Sequence, residues 1–193
     1  MGRWQPDSRG RLQEAALALF AEQGFDRTTA AEIADRAGVT ERTFFRHFAD
    51  KREVLFGASE LLKDQIVQGV ANAPATDGPL EAVSCGLEAA ATMLGASRRE
   101  LVRQRQAVIT GNPELREREL SKLADYAVAV AATLRQRGVG NPQATFAAEA
   151  GMTVLRVAIA QWADGVDDCE LASVLRDSMT ELRAVTVVRS PLP

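Results

Sequence analysis

Apolar positions recur three and four apart along most of the chain and seldom alternate, a pattern that predicts helices rather than strands. Ala30, Ile33, Ala34 and Ala37 form one narrow apolar stripe, and Phe44 and Phe48 form a second. Val54, Leu55, Leu61, Leu62, Ile66 and Val70 follow, predicting a helix from Arg52 to about Val70. Residues 71 to 79, ANAPATDGP, have the composition of a loop, and a helix is expected from Leu80 to about Ala96. Gly111-Asn112-Pro113 and Gly140-Asn141-Pro142 each offer a glycine exit, an asparagine cap and a proline at the first helical position. These marks delimit helices near Arg98 to Thr110, Glu114 to Arg137 and Pro142 to Asp164. A last helix, about Cys169 to Ala184, follows the acidic turn 164–168, and SPLP closes the chain as an extended tail. The β-branched TVV near residue 186 is too short to compete, so the fold class is all-α.

Two short helices stand out near the start. Thr29 can cap the first, and Glu32, three residues on, can complete a capping box. Gly38 permits the left-handed backbone of a helix exit, Val39 can plug the angle, and Thr40 can cap the second helix, which runs to about His47. The pair reads as a helix-turn-helix over about residues 29–48. With Phe44 and Phe48 turned to the core, Arg42 and Arg46 form one outward ridge, Glu41 and Phe45 another, and Thr43 lies at the edge. Arginine can donate to guanine O6 and N7, glutamate can accept from cytosine N4, and threonine or phenylalanine can pack on a thymine methyl. Glu41, Arg42, Thr43, Phe45 and Arg46 are therefore candidate base readers. Thr29, Thr40, His47 and Lys51 suit phosphate contacts, whereas Arg3, Arg9 and Arg11 on or near an N-terminal arm can reach phosphates or a minor groove, or, for Arg3 with Trp4, form a disordered tail.

The ordered strings ALALFAEQGFDRTT, AAEIADRAGVT and ERTFFRHFADKREVL resemble the first helix, the second helix with its turn, and the recognition and fourth helices of the TetR (tetracycline repressor) family of bacterial transcriptional regulators. The resemblance covers roughly Ser8 to Leu55. It implies a DNA-binding domain over 8–56, a helical ligand-binding and dimerisation domain over 57–186, and a repressor's usual mode of action. The family very often has tyrosine at the position of Phe45, with its hydroxyl on a backbone phosphate, and this chain lacks that hydroxyl.

Composition narrows the field. The chain has 193 residues, 46% of them hydrophobic, enough for a small DNA module and a larger helical domain. A net charge of −3 argues against indiscriminate coating of nucleic acid, so any basic surface is local. The absence of a signal segment or a spanning apolar run leads us to expect a soluble, cytoplasmic protein with no membrane partner. Cys85 and Cys169 form no CxxC pair, so buried free thiols are expected, with neither zinc nor a disulfide framework. His47 is the sole histidine and no nucleophile, phosphate-loop or dinucleotide motif is present, so neither catalysis nor a cofactor is expected. A non-DNA adaptor using the helix pair for protein contacts is the competing class, ahead of an unrecognised enzyme.

Residues 150–162, AGMTVLRVAIAQW, are apolar nearly all round, which suits a helix covered on several sides. Met152, Leu155, Ile159 and Trp162 are expected to meet Leu171, Val174, Leu175 and Leu182 in a four-helix bundle with a second copy. The family resemblance implies the same homodimer, and hence a pseudo-palindromic double-stranded operator. Leu87, Leu94, Leu101, Val108, Leu123 and Tyr126 are candidate lining for a small, largely apolar ligand, although such stripes also make ordinary core. Arg105 lies on that stripe, where a charge must snorkel, pair with a glutamate or meet an anionic group, and Arg156 poses the same question beside Glu149.

Overall fold

The computed structural model describes residues 7–95, 98–165 and 169–186. Nine helices are present among them: α1 (Ser8–Gln23), α2 (Ala30–Arg36), α3 (Glu41–His47), α4 (Ser59–Asn72), α5 (Pro79–Ala91), α6 (Arg99–Gly111), α7 (Pro113–Gln136), α8 (Asn141–Asp164) and α9 (Leu171–Thr186). No strand is present among the described residues. Arg3 and Trp4, most of the acidic turn after α8 and the SPLP tail lie outside them. The chain divides into two compact units, Met1–Ala58 with Glu100–Glu119, and Ser59–Arg99 with Leu120–Pro193.

In the first unit, α1 starts where the Asp7 carboxylate accepts from the Gly10 amide (2.8 Å) and stops at Gly24, whose φ of 87° is costly for other residues. The α2 capping box is complete: the Thr29 hydroxyl accepts from the Glu32 amide, and the Glu32 carboxylate accepts from the Thr29 amide at 2.8 Å. Gly38, at φ 67°, turns the chain, and the Thr40 hydroxyl accepts from the Thr43 amide to start α3. Leu12, Ala16, Phe20, Ile33, Phe44 and Phe48 fill the space between these three helices. Ile109 of α6 and Leu115 of α7 belong to the same core, with Leu101 and Val108 packed against it. Thus segment 100–119, assigned from sequence to the 57–186 domain, groups here with the helix-turn-helix.

The expected helix from Arg52 is interrupted: residues 51–58 are turns, and α4 begins only at Ser59. Val54, Leu55 and Phe56 are all buried, and three consecutive residues cannot share one face of an α-helix. The amides of Leu55 and Phe56 bond three residues back, to Arg52 and Glu53, which is the tighter winding. A Cβ on Gly57 would lie 2.9 Å from both Gln13 Nε2 and the Phe48 ring, so the backbone passes too close there for a larger residue to fit without shifts.

In the second unit, α5 lies against α4, α8 and α9. The crossing with α4 is made at two glycines, since a Cβ on Gly69 would stand 2.7 Å from Gly86 Cα and one on Gly86 2.6 Å from the Ile66 carbonyl. Tyr126 of α7 donates to the Ser59 carbonyl at 2.8 Å, and Arg137 donates to the carbonyls of Ala71, Ala73 and Pro74 at the end of α4. Asn112 accepts from the Leu115 amide as the expected cap, but Gly140 takes the cap position before α8, and Asn141 instead accepts from Arg135. Met152, Leu155, Trp162, Leu171 and Leu175, expected in a subunit interface, are buried within the single chain. A side chain already covered by its own protomer cannot be what a second copy covers. Ile159, Val174 and Leu182 are half-buried.

Candidate nucleic-acid interface

The recognition helix α3 is aimed from beneath. Phe44 is fully buried, and its ring meets Phe48 at 5.7 Å between centroids and the edge of Phe45 at 5.3 Å and 83°. Aromatic contacts on one side fix which residues face outward on the other. Glu41, Arg42, Phe45 and Arg46 are exposed and Thr43 is half-buried. Arg42, Thr43, Phe45 and Arg46 together line an open groove, with Glu41 on the first turn beside it. Neither Arg42 nor Arg46 has a hydrogen-bond or ion-pair partner among the described residues, so both guanidinium groups can turn to an external acceptor. The Thr43 hydroxyl is 3.0 Å from that of Thr40, which ties the groove edge to the helix cap.

The residues expected on phosphate are in part engaged elsewhere. The Lys51 ammonium donates to the carbonyls of Phe25 (2.8 Å), Asp26 (3.0 Å) and Thr28 (2.9 Å) and lies over the Phe25 ring. This is a correction to its assignment: an ammonium has three N–H donors, and the α1–α2 loop takes all three. Thr29 and Thr40 remain exposed but serve as caps. His47 Nε2 shares a hydrogen bond with Ser8 Oγ at 2.8 Å, and burial, then Arg46 and Arg9, lower its pKa below the usual value. Arg9 lies over the Phe48 ring and donates to the Gly57 carbonyl, while Arg11 donates to the Ala37 carbonyl at 2.8 Å, closing the end of α2. Both arginines tie α1 to the helix-turn-helix; an arginine on an exposed-looking stretch gives no sequence signal for such a cap.

The candidate ligand residues are divided between the two units. Leu101, Arg105 and Val108 fall in the first unit, whereas Leu87, Leu94, Leu123 and Tyr126 fall in the second. Arg105 donates to the Leu55 carbonyl (2.7 Å) and to Glu119 (2.8 Å) and lies 5.2 Å from the Phe56 ring centre. Its charge on an apolar stripe is therefore answered by a carboxylate and a carbonyl. Arg118 grips Glu53 and lies 6.0 Å from the same ring. Sequence spacing could not find these pairs, because their members are 14 and 65 residues apart. Leu87 and Tyr126 are buried, Leu94 and Leu123 half-buried, and Arg156 and Glu149 exposed. Both cysteines are free and half-buried, not buried as expected.

Known proteins resemble this chain in sequence and in fold. Residues 12–58 match the family model of bacterial regulatory proteins of the tetR family, and residues 77–186 match that of the MftR C-terminal domain. The chain is 39% identical over 77 residues to the HTH-type transcriptional regulator TcmR of Streptomyces glaucescens, a match covering 40% of this chain and 34% of that protein. It thus spans about a third of TcmR. Similarity to the putative mycofactocin biosynthesis transcriptional regulator MftR of Mycobacterium tuberculosis is 25% over 162 residues, covering 84% of this chain and 81% of MftR. Thermus thermophilus FadR, a TetR-family transcriptional repressor solved with lauroyl-CoA, superposes with a TM-score of 0.56 at 25% identity, over 96% of this chain and 98% of FadR. A helix-turn-helix match at one end and an MftR-type match across more than half of the rest lead to one assignment: the chain belongs to the TetR family of bacterial regulatory proteins.

Proposed function

We propose that this protein is a sequence-specific transcriptional regulator, a ligand-responsive repressor that binds a pseudo-palindromic operator as a homodimer. The observation that carries this reading is the outward face of α3, where Arg42 and Arg46 stand exposed without partners on a capped helix held by buried aromatic rings. Base-edge hydrogen bonds from such a helix supply specificity, and backbone contacts supply salt-sensitive affinity. Fluorescence anisotropy against duplexes selected from a random library tests it. Binding should weaken with salt, and Arg42→Ala with Arg46→Ala should abolish selection of any common sequence. A double mutant that selects as the parent does would remove α3 from the interface and favour the adaptor reading.

For the dimer, the apolar side chains left uncovered in one chain matter. Phe146 near the start of α8 and Val185 near the end of α9 are 73% and 79% exposed. The two helices are in contact, and a second copy lying along them can cover these side chains together with half-buried Ile159, Val174 and Leu182. Sedimentation of the parent and of Phe146→Glu with Val185→Glu tests this: the parent should run as a dimer and the variant as a monomer. The ligand is a small, largely apolar molecule. FadR's complex with lauroyl-CoA supports testing acyl thioesters first. A ligand preferring the form unable to bind DNA must weaken operator binding by linkage. Titration of an acyl-thioester panel that shifts neither melting nor operator affinity would remove that class.

A further inference from the structure

The groove on α3 pairs charge with apolar surface in a way that specifies more than a guanine. Arg42 and Phe45 are three residues apart and so neighbours on the helix surface, and Arg46 follows one turn after Arg42. At 1.5 Å per residue, Arg42 and Arg46 are separated by about 6 Å along the axis, less than two base-pair steps of about 3.4 Å each. A guanidinium on guanine O6 and N7 therefore brings the Phe45 ring over the edge of an adjacent base pair. That ring is 52% exposed and makes an edge contact with fully buried Phe44, which favours its outward placement. The Thr43 hydroxyl lies at the groove edge, 3.0 Å from that of Thr40. In the major groove the apolar feature such a ring can recognise is the 5-methyl group of a pyrimidine.

We propose that Phe45 is a specificity-determining residue and that α3 selects a 5-methylpyrimidine adjoining a guanine, a thymine–guanine step or its 5-methylcytosine equivalent. This rests on the operator-binding reading above and adds which atom beyond guanine is read. Cytosine without a methyl presents an amino donor and no apolar surface at that point, so the ring discriminates against it. Loss of one methyl contact corresponds to about a three- to fourfold change in affinity per site, and the two half-sites of a dimer double the exponent.

The test uses the full-length protein and the tightest duplex selected from a random library. Each thymine is replaced in turn by deoxyuridine, which removes only the 5-methyl group. Wild type should lose about three- to fourfold at the thymine beside the guanine. A cytosine placed there should bind more weakly than 5-methylcytosine. In Phe45→Ala the parent duplex should bind as weakly as the deoxyuridine duplex does to wild type, with no further loss on substitution. Phe45→Leu, which keeps apolar volume on the same helix, should retain part of the discrimination. If no deoxyuridine position matters, or if the loss persists in Phe45→Ala, the assignment is overturned while operator binding stands. If wild type selects no common duplex at all, operator binding itself fails and the methyl readout falls with it.

Discussion

Lys51 shows how a single side chain can leave the interface its position suggests. Its three N–H groups hold the loop between α1 and α2, and its charge lies 4.5 Å from the Phe25 ring centre. Hydrogen bonds from a charged group to partly buried carbonyls are worth about 2 kcal/mol net. Lys51→Met should therefore lower the stability of the protein by about that amount in urea denaturation. A purely phosphate-facing lysine would instead leave stability unchanged and alter only DNA binding. His47 makes a pH-dependent prediction. Burial, Arg46 and Arg9 lower its pKa below the ordinary 6.5, so the fold favours the neutral ring. The corresponding stability is present above that ordinary value and is lost as pH falls through the lower folded one. Compared with wild type, His47→Gln should show a smaller drop in denaturation midpoint between about pH 7 and pH 5. Equal drops would mean that other groups control that window.

At the scale of elements, glycine at the α4–α5 crossing sets two effects against each other. Replacing Gly86 with alanine favours the helix by about 0.5–1 kcal/mol on backbone entropy. The added Cβ, however, would meet the Ile66 carbonyl and Val70 Cγ2 at 2.6 Å, and overpacking of this kind costs about 1–3 kcal/mol. The clash wins because one neighbour is backbone and cannot rotate away, so Gly86→Ala should lower the melting temperature. A raised melting temperature would show that the helices separate readily. The same contrast between local and distant causes explains what could be read in advance. Thr29, Glu32, Gly38 and Thr40 act within a few residues, and the boundaries of α2 and α3 followed from them. The start of α4 did not, because the apolar run at 54–56 is shaped by a pocket of the first unit and by the close pass at Gly57. Likewise Met152, Leu155 and Trp162 have interface-like composition, and only folding shows that α5 and α9 already cover them.

At the scale of the whole molecule, the unit that carries α3 is discontinuous in sequence. Residues 100–119 complete it, contributing Ile109 and Leu115, which are 1% and 0% exposed. A 47-residue match to a family domain model thus describes less than the compact unit, since residues 12–58 contain neither side chain. The pairs Arg105 with Glu119 and Arg118 with Glu53 fasten the added segment at the surface, but the apolar residues carry most of the energy, because partly exposed ion pairs contribute at most about 1 kcal/mol. Leu115→Ala removes a fully buried side chain and should cost about 2–5 kcal/mol. Its effect should fall on α1 to α3, although no residue of those helices is within 60 positions of it in sequence. Amide hydrogen exchange in the full-length protein reads this directly. Faster exchange throughout α1, α2 and α3, with α5 and α8 unaffected, is the expected result. Faster exchange confined to α6 and α7 would mean that the helix-turn-helix folds without them, and that a fragment ending at Ala58 should bind DNA unaided.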